Sequence, residues 1–172
     1  KLLAVLLVLF LVAGALYAAY SLGFFENAPD DPVGDTYVDF IDCGQGDSIL
    51  IVSEGQSELI DATTGKNEDD VTEHLQKRGI TKIDHFVLTH SHEDHIGGLS
   101  YVLESINIPI FGTRLALGII ENKLSETTLP FRPKLIPIEA GDTISLGALK
   151  AEFIHVNHSI ADACSIAIYT PM

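Results

Sequence analysis

The run Thr89-His90-Ser91-His92-Glu93-Asp94-His95 is the strongest indication of the fold class of this chain. It places three imidazoles and the Asp94 carboxylate within a few positions, directly after an apolar segment. Zinc binds neutral imidazole and carboxylate oxygen readily, and catalytic zinc sites keep one coordination position open. In an extended chain His90 and His92 would share one side and bind one ion, because side chains alternate with period two. Asp94 and His95 are consecutive and suit a second ion, so the motif predicts one or two divalent metals beside a water.

The residues on either side of the motif indicate that it joins a strand to a helix. Residues 83–88 are typical of a buried strand, and the Ile-Gly-Gly-Leu of residues 96–99 is typical of the tight start of a helix. A solvated polar loop is the alternative interpretation, and both flanks count against it.

Length and charge narrow the function classes. The chain has 172 residues, which is enough for one domain with a hydrophobic core. Its formal net charge is −14, with only 10 Lys and Arg residues, whereas nucleic-acid binders usually carry a basic face. This acidity weakens a nuclease interpretation, although two bound dications would return up to about four positive charges locally. The two cysteines, Cys43 and Cys164, are not spaced as a metal site and are expected to be small buried residues.

The N-terminal residues predict a membrane segment. Residues 2–25 contain no charged side chain, and a bilayer span needs about 20 apolar residues. Lys1 precedes this stretch and acidic residues follow it, which favours an uncleaved anchor with the folded domain outside the cytoplasm. A cleaved signal peptide is the alternative, because Ala13-Gly14-Ala15 fits a small-residue cleavage site. We therefore predict an anchor or signal segment over residues 1–25, a linker over 26–36 and the catalytic domain over 37–172.

The order of the predicted elements favours an α/β sandwich. Strands are predicted first, over residues 37–42, 48–53 and 58–61, with residues 44–47 as a hairpin turn. Strands and helices then alternate up to about residue 124, and three further strands follow. Layered α/β domains show this order.

Two known families resemble this sequence. Residues 89–98 resemble the signature loop of metallo-β-lactamase-fold hydrolases, which implies an αββα sandwich with the metals at one sheet edge. Residues 38–51, 59–61 and 83–90 resemble the metallo-β-lactamase domain of ComEC-type DNA-uptake proteins, which are membrane-associated. Residues 107–115, 121–124 and 153–160 resemble ribonuclease J, which implies the cytoplasm instead. The resemblance changes from one family to the other at the motif that both families share. A natural mosaic protein, a join made during sequence assembly or an artificial chimera would each produce such a change.

The resemblance also implies roles for two residues outside the motif. His158 matches the position of the third ligand to the ion bound by His90 and His92, while the nearby His155 is interpreted as structural. Asp61 resembles a carboxylate beside the metal loop, where it would orient a ligand imidazole through its free N–H. A strand-end aspartate that caps a turn is the alternative for Asp61.

The sequence departs from ribonuclease J in places. Ala161 replaces a proline of that family. The metal-bridging aspartate, the late histidine ligand and the RNA-binding β-CASP domain of that family are expected beyond Met172, as in the first part of a longer enzyme.

Together these observations predict a metal-dependent hydrolase, specifically a phosphodiesterase or nuclease that uses a metal-bound hydroxide. We expect two Zn²⁺ ions, with Mn²⁺ or Mg²⁺ as alternatives, and RNA or single-stranded DNA as the substrate. His90, His92 and His158 would bind one ion, and Asp94 and His95 would bind the other and act in catalysis. The alternatives are a hydrolase of small esters, thioesters or lactones, and a non-catalytic metal-binding fragment.

Overall fold

The computed structural model describes residues 36–66 and 68–171, which belong to one compact unit, Gly34–Met172. The predicted anchor or signal segment, residues 1–25, lies outside the described residues, as does the predicted linker except for its last residue, Thr36. In the part of the chain that is described, no helix has the length and apolar character needed to cross a membrane.

A mixed six-stranded sheet forms the centre of the domain, and its strands lie in chain order. The strands are β1 (Thr36–Phe40), β2 (Ile49–Ser53), β3 (Gln56–Ile60), β4 (His85–Val87), β5 (Ile110–Gly112) and β6 (Leu135–Pro137). β1 to β3 pair antiparallel, and β3 to β6 pair parallel. Glu54 and Gly55 form the two-residue turn that joins β2 to β3, with φ of 50° and 78°. Positive φ at both positions gives such a turn a twist that matches that of the two strands.

A smaller antiparallel sheet packs on one face of the large sheet. It contains β7 (Thr143–Leu146), β8 (Leu149–His155) and β9 (Cys164–Tyr169). The contact between the sheets is apolar: Ile51, Ile60 and Val87 of the large sheet meet side chains that include Leu149 and Phe153. The alternation of buried and exposed residues along β8 explains why this strand was predictable.

Four helices cover the opposite face of the large sheet: α1 (Glu68–Lys77), α2 (Glu93–Ile96), α3 (Leu99–Ser105) and α4 (Arg114–Ser125). All four contribute side chains to one apolar cluster, among them Leu75, Ile96, Leu103 and Ile120. The layers are therefore helix, sheet and sheet, and the predicted α/β class is confirmed. The fourth layer of an αββα sandwich, a helix layer outside the small sheet, is not formed by residues 36–66 and 68–171.

Two local expectations differ from the structure. The chain is not extended through the metal motif, because β4 ends at Val87 and α2 begins at Glu93. β6 was not predicted, because three residues that end in a proline carry too little periodic signal to distinguish a strand from a loop.

Candidate metal centre

The candidate site lies where parallel strands end. Asp61 directly follows β3, and Thr89 and His90 follow β4, whose Val87 pairs with Ile60. Because the carboxyl ends of parallel strands meet at one sheet edge, side chains that follow β3 and β4 come together there. The fold thus joins two segments that are far apart in the sequence.

The structure brings together the three histidines that were predicted to bind one ion. His90, His92 and His158 each offer one ring nitrogen, and these nitrogens lie within 4.8 Å of one another. The small sheet positions His158: the Cys164 N–H at the start of β9 donates to the Thr89 carbonyl (2.9 Å), and the Val156 N–H donates to the Ala163 carbonyl (3.1 Å). His155, at the end of β8, is exposed and is not part of this cluster.

Hydrogen bonds prepare His90 to bind a cation. The Thr89 hydroxyl lies 2.6 Å from Asp61 Oδ2 and donates its single proton to that carboxylate. The same hydroxyl lies 3.0 Å from Nδ1 of His90, so its oxygen accepts the Nδ1–H. This assigns the lone pair to Nε2, which is buried and has no hydrogen-bond partner among the described residues. A buried nitrogen lone pair without a donor is a position that a metal ion would satisfy, so the site fits the metal that its chemistry implies.

The protonation of His90 agrees with this role. Burial, with the nearby imidazoles of His95, His158 and His92, lowers the pKa of His90 to about 4. The ring is therefore neutral near neutral pH, as a ligand to zinc must be.

Hydrogen bonding also orients the imidazole of His95 for binding a cation. Its Nδ1–H donates to Asp61 Oδ2 (2.8 Å), which leaves a lone pair on Nε2. Nε2 lies 3.9 Å from Oδ1 of Asp94, the neighbouring residue on α2. Burial opposes protonation of His95, but the hydrogen bond to Asp61 and the charges of Asp61, Asp94 and Asp47 outweigh it and raise its pKa.

Asp61 is the residue that connects the two imidazoles. Its carboxylate is buried and accepts three hydrogen bonds, from the Thr89 N–H (3.0 Å), the Thr89 hydroxyl and His95. Its φ of +57° lies in the left-handed region, which is rare for residues other than glycine and often marks functional sites. Burial raises the pKa of Asp61, while these donors act in the opposite direction. Such contacts suit the predicted orienting role better than a local turn cap.

His158 differs from the other two imidazoles of its cluster. The ring is exposed, and the Ser159 N–H donates to its Nδ1 (2.8 Å). This contact places the proton of the neutral ring on Nε2. His158 therefore needs a change of tautomer or of ring orientation before Nε2 can bind an ion, whereas His90 needs neither.

The turn at residues 44–47 supports the motif in a way that was not predicted. Residues 44–47 were predicted only as a hairpin turn, but the Asp47 N–H donates to the Asp94 carbonyl (3.3 Å). A Cβ on Gly46, whose φ is +112°, would lie 2.2 Å from that carbonyl oxygen, so only glycine fits. The two glycines of the turn were the available signal, and they indicate close backbone approach as well as a turn.

Thr63 fixes this turn from the other side. It is fully buried with φ of +52°, a rare conformation for a β-branched residue. Its N–H donates to the Asp47 carbonyl (3.0 Å), and its hydroxyl donates to the Gln45 carbonyl (3.0 Å). The turn, Thr63 and α2 are therefore one connected unit.

Replacing Thr63 by valine is expected to lower the free energy of unfolding by about 0.5–1.5 kcal/mol, because the partly buried hydrogen bond to the Gln45 carbonyl is lost while the side-chain shape is kept. Denaturant unfolding of the metal-free protein measures this loss. Thr128→Val is the control, because Thr128 is exposed and such changes usually stay within about 0.5 kcal/mol. Equal unfolding midpoints for the two variants would show that the Thr63 hydroxyl contributes nothing.

The lowered pKa of His90 predicts a loss of stability in mild acid. The unfolded ring takes up a proton near pH 6.5, whereas the folded ring does so only near pH 4. Between these values the unfolded state binds more protons, so His90 makes the metal-free protein less stable as the pH falls through this window. Urea midpoints measured from about pH 7 to about pH 4 should fall less steeply in His90→Gln than in the wild type. Parallel curves would contradict the assigned pKa.

Comparisons with known proteins agree with this architecture. The family model described as the metallo-beta-lactamase superfamily matches residues 41–168. Ribonuclease J of Synechocystis sp. is 38% identical over 130 residues, which cover 73% of this chain and 20% of that protein. Ribonuclease J of Corynebacterium glutamicum is 37% identical over 134 residues, which cover 76% of this chain and 17% of that protein. The chain thus spans at most about a fifth of the length of these two relatives.

A solved metallo-beta-lactamase from Cronobacter sakazakii with a HARLDQ motif has the same fold. It aligns with a TM-score of 0.66 and 18% identity, over 88% of this chain and 58% of that one. The family match begins just after β1 and ends within β9, so it spans both sheets and the histidine motif. On that ground, this chain belongs to the metallo-beta-lactamase superfamily.

Proposed function

We propose that this domain is a divalent-metal-dependent phosphodiesterase that cleaves RNA or single-stranded DNA. The observation that carries the proposal is the Asp61 network, which engages Nδ1 of His90 and His95 and leaves Nε2 of each neutral ring as the nitrogen that can bind a metal. The identity to ribonuclease J proteins supports a polynucleotide as the substrate.

Two ions fit the donor set, and Zn²⁺ suits its nitrogen-rich half best, with Mn²⁺ or Mg²⁺ as alternatives. His90, His92 and His158 would bind one ion, and Asp94 and His95 the other. When bound, the ions supply Lewis-acid stabilisation of charge on phosphoryl oxygens and lower the pKa of water.

The chain's own residues orient this chemistry. Asp61 fixes the tautomer of His95 directly and that of His90 through the Thr89 hydroxyl. Asp94 lies beside His95 with a partly exposed carboxylate, where it can contact an ion or accept a proton. The exposed ring of His158 leaves one side of the site open to a chain-like substrate.

Location forms a separate part of the proposal. We propose that residues 1–25 anchor the chain and that residues 37–172 act outside the cytoplasm. A fractionation of cells that carry the full chain, with protease added to intact cells, would test this. A fully cytosolic chain that resists the protease would favour the alternative location.

The proposed activity is tested with the full chain loaded with Zn²⁺ or Mn²⁺. Labelled single-stranded RNA, single-stranded DNA, a generic phosphodiester and a lactone are compared at equal enzyme concentration. Cleavage of the polynucleotides that EDTA abolishes is the expected result. Turnover of the lactone alone would replace the proposal with a small-molecule hydrolase, the second candidate that the net charge of −14 favours. Metal uptake without any turnover would support a non-catalytic metal-binding domain.

A further inference from the structure

A buried polar pair lies between the two sheets, away from the metal centre. Glu58 of β3 and His85 of β4 are direct partners in the parallel pairing of these strands. Glu58 is fully buried, and it shares its face of the large sheet with Ile60, which packs against the small sheet. Oε2 of Glu58 lies 3.7 Å from Nδ1 of His85, which is longer than a hydrogen bond. Neither side chain takes part in the proposed hydrolysis.

The polar atoms of this pair are unusual for a protein interior. Both carboxyl oxygens of Glu58 and Nδ1 of His85 are buried, and none of them has a hydrogen-bond partner among the described residues. Each of these atoms has almost no accessible surface, so its surroundings are set by the described part of the chain. Burying a polar group without a partner is costly, and an apolar pair at this place would avoid that cost. Stability alone therefore does not explain Glu58 and His85.

The pair can instead determine which residues of β3 and β4 lie opposite each other. The other pairs of this ladder, Leu59 with Phe86 and Ile60 with Val87, are apolar. A shift of two residues would keep every side chain on its own face, so apolar packing alone opposes such a shift only weakly. The shift would place Glu58 opposite residue 83 or Val87 and leave its carboxyl group buried without an imidazole beside it. The polar pair thus adds a penalty against the shift that apolar pairs do not supply.

The metal centre depends on this alignment of the two strands. Asp61 follows β3, three positions after Glu58, and Thr89 follows β4, four positions after His85. Asp61 accepts hydrogen bonds from the Thr89 N–H (3.0 Å) and the Thr89 hydroxyl (2.6 Å). A shift of two residues moves one strand by about 6.6 Å along the other, which breaks both hydrogen bonds. The polar pair lies at one end of the ladder, and the geometry that it protects lies at the other end.

We propose that Glu58 and His85 are positioning residues that hold the register of β3 and β4 on which the metal centre depends. The inference rests on the proposed function, because it concerns the geometry of the same site. The pair contacts no ion and no substrate. It acts through Asp61, whose hydrogen bonds with Thr89 and His95 orient the imidazoles that would bind metal. A pair that served only the stability of the core would have no influence on those imidazoles.

The double substitution Glu58→Leu/His85→Leu in the full chain tests the inference. Replacement of a buried ionisable pair by apolar residues of similar volume is often neutral or stabilising. Phe86→Leu is the matched control, because Phe86 is fully buried in the same ladder and its truncation weakens packing without removing the polar pair. Urea unfolding gives the stability of each metal-free protein, nitrogen-15 NMR gives the tautomers of His90 and His95, and a zinc titration gives the affinity.

We expect the double variant to unfold at a urea concentration close to or above that of the wild type. It should nevertheless show a second set of imidazole signals and bind Zn²⁺ at least about tenfold more weakly, as after loss of a group that orients a metal ligand. Phe86→Leu should unfold at a lower urea concentration but keep the tautomers and the zinc affinity of the wild type.

Wild-type tautomers and zinc affinity in the double variant would overturn the inference. A double variant that does not fold would also overturn it, because the pair would then serve stability. An equal loss of affinity in Phe86→Leu would do the same, since metal binding would then follow stability alone. A wild-type chain that binds no Zn²⁺ would defeat the proposed function itself, while the imidazole signals of the metal-free double variant would still decide the inference.

Discussion

Replacing His92 by alanine is expected to abolish binding of the proposed zinc ion at the three-histidine site and, with it, the proposed hydrolysis. His92 provides one of the three clustered nitrogens, and two imidazoles alone rarely retain zinc. Its ring contacts are with the other imidazoles of the cluster, His90 and His158, so the variant should keep its fold. Loss of a residue that only orients a metal ligand lowers metal affinity by up to about 100-fold. Because His92 is a predicted ligand itself, we expect zinc affinity to fall by more than about 100-fold.

Metal analysis after dialysis and a titration with a zinc-sensitive dye measure this loss. His155→Ala is the matched control, because His155 lies three positions before His158 but is exposed and outside the cluster. It should retain wild-type zinc content and activity. Wild-type metal content in His92→Ala would mean that the cluster is not the zinc site.

Asp61→Asn is expected to weaken metal binding strongly, because it changes the tautomers of both His90 and His95. Asparagine tolerates the left-handed backbone of this position, so the substitution alters hydrogen bonding while the chain path is kept. The carboxylate accepts three hydrogen bonds, but an amide has a donor at one end. If the amide nitrogen faces His95, Nδ1 must accept and the ring proton moves to Nε2. The Thr89 hydroxyl then donates to His90, whose Nε2 also becomes protonated.

The metal affinity of both ions should consequently fall by about 10–100-fold. Nitrogen-15 NMR of the imidazoles in the metal-free protein reports the tautomers directly and separates this mechanism from simple destabilisation. Asp84→Asn is the control, since Asp84 also accepts a backbone N–H, from Ser57 (3.0 Å), away from the metal centre. It should lower stability without changing metal affinity. Unchanged tautomers of His90 and His95 in Asp61→Asn would contradict the role assigned to the carboxylate.

The sequence alone was enough to predict the class of the fold, and the residues that it indicates for the site include the three histidines that the structure brings together. The spacing of His90, His92, Asp94 and His95 predicts metal binding without reference to the rest of the chain, because few other uses explain such a run. The buried strand before the motif was also clear. His158 was different: spacing offered no reason to choose it over His155, and the choice came from the resemblance to ribonuclease J.

What the sequence could not provide was the geometry that depends on long-range packing. The left-handed backbones of Asp61 and Thr63 have no local signal, since neither residue is a glycine. The chain of hydrogen bonds from Asp61 through Thr89 to His90 exists only after β3 and β4 pair. The turn at residues 44–47 looked like an ordinary hairpin because its contacts with Asp94 come from an element nearly fifty positions later.

The parallel pairing of Ile60 with Val87 has an evolutionary consequence. Side chains alternate across a strand, so a slip of one residue between β3 and β4 would carry Asp61 to the opposite face and separate it from Thr89. We therefore expect selection against insertions or deletions within β3, even where the core could repack around them. Lineages of this domain should consequently diverge in their connections long before they diverge in the length of this strand.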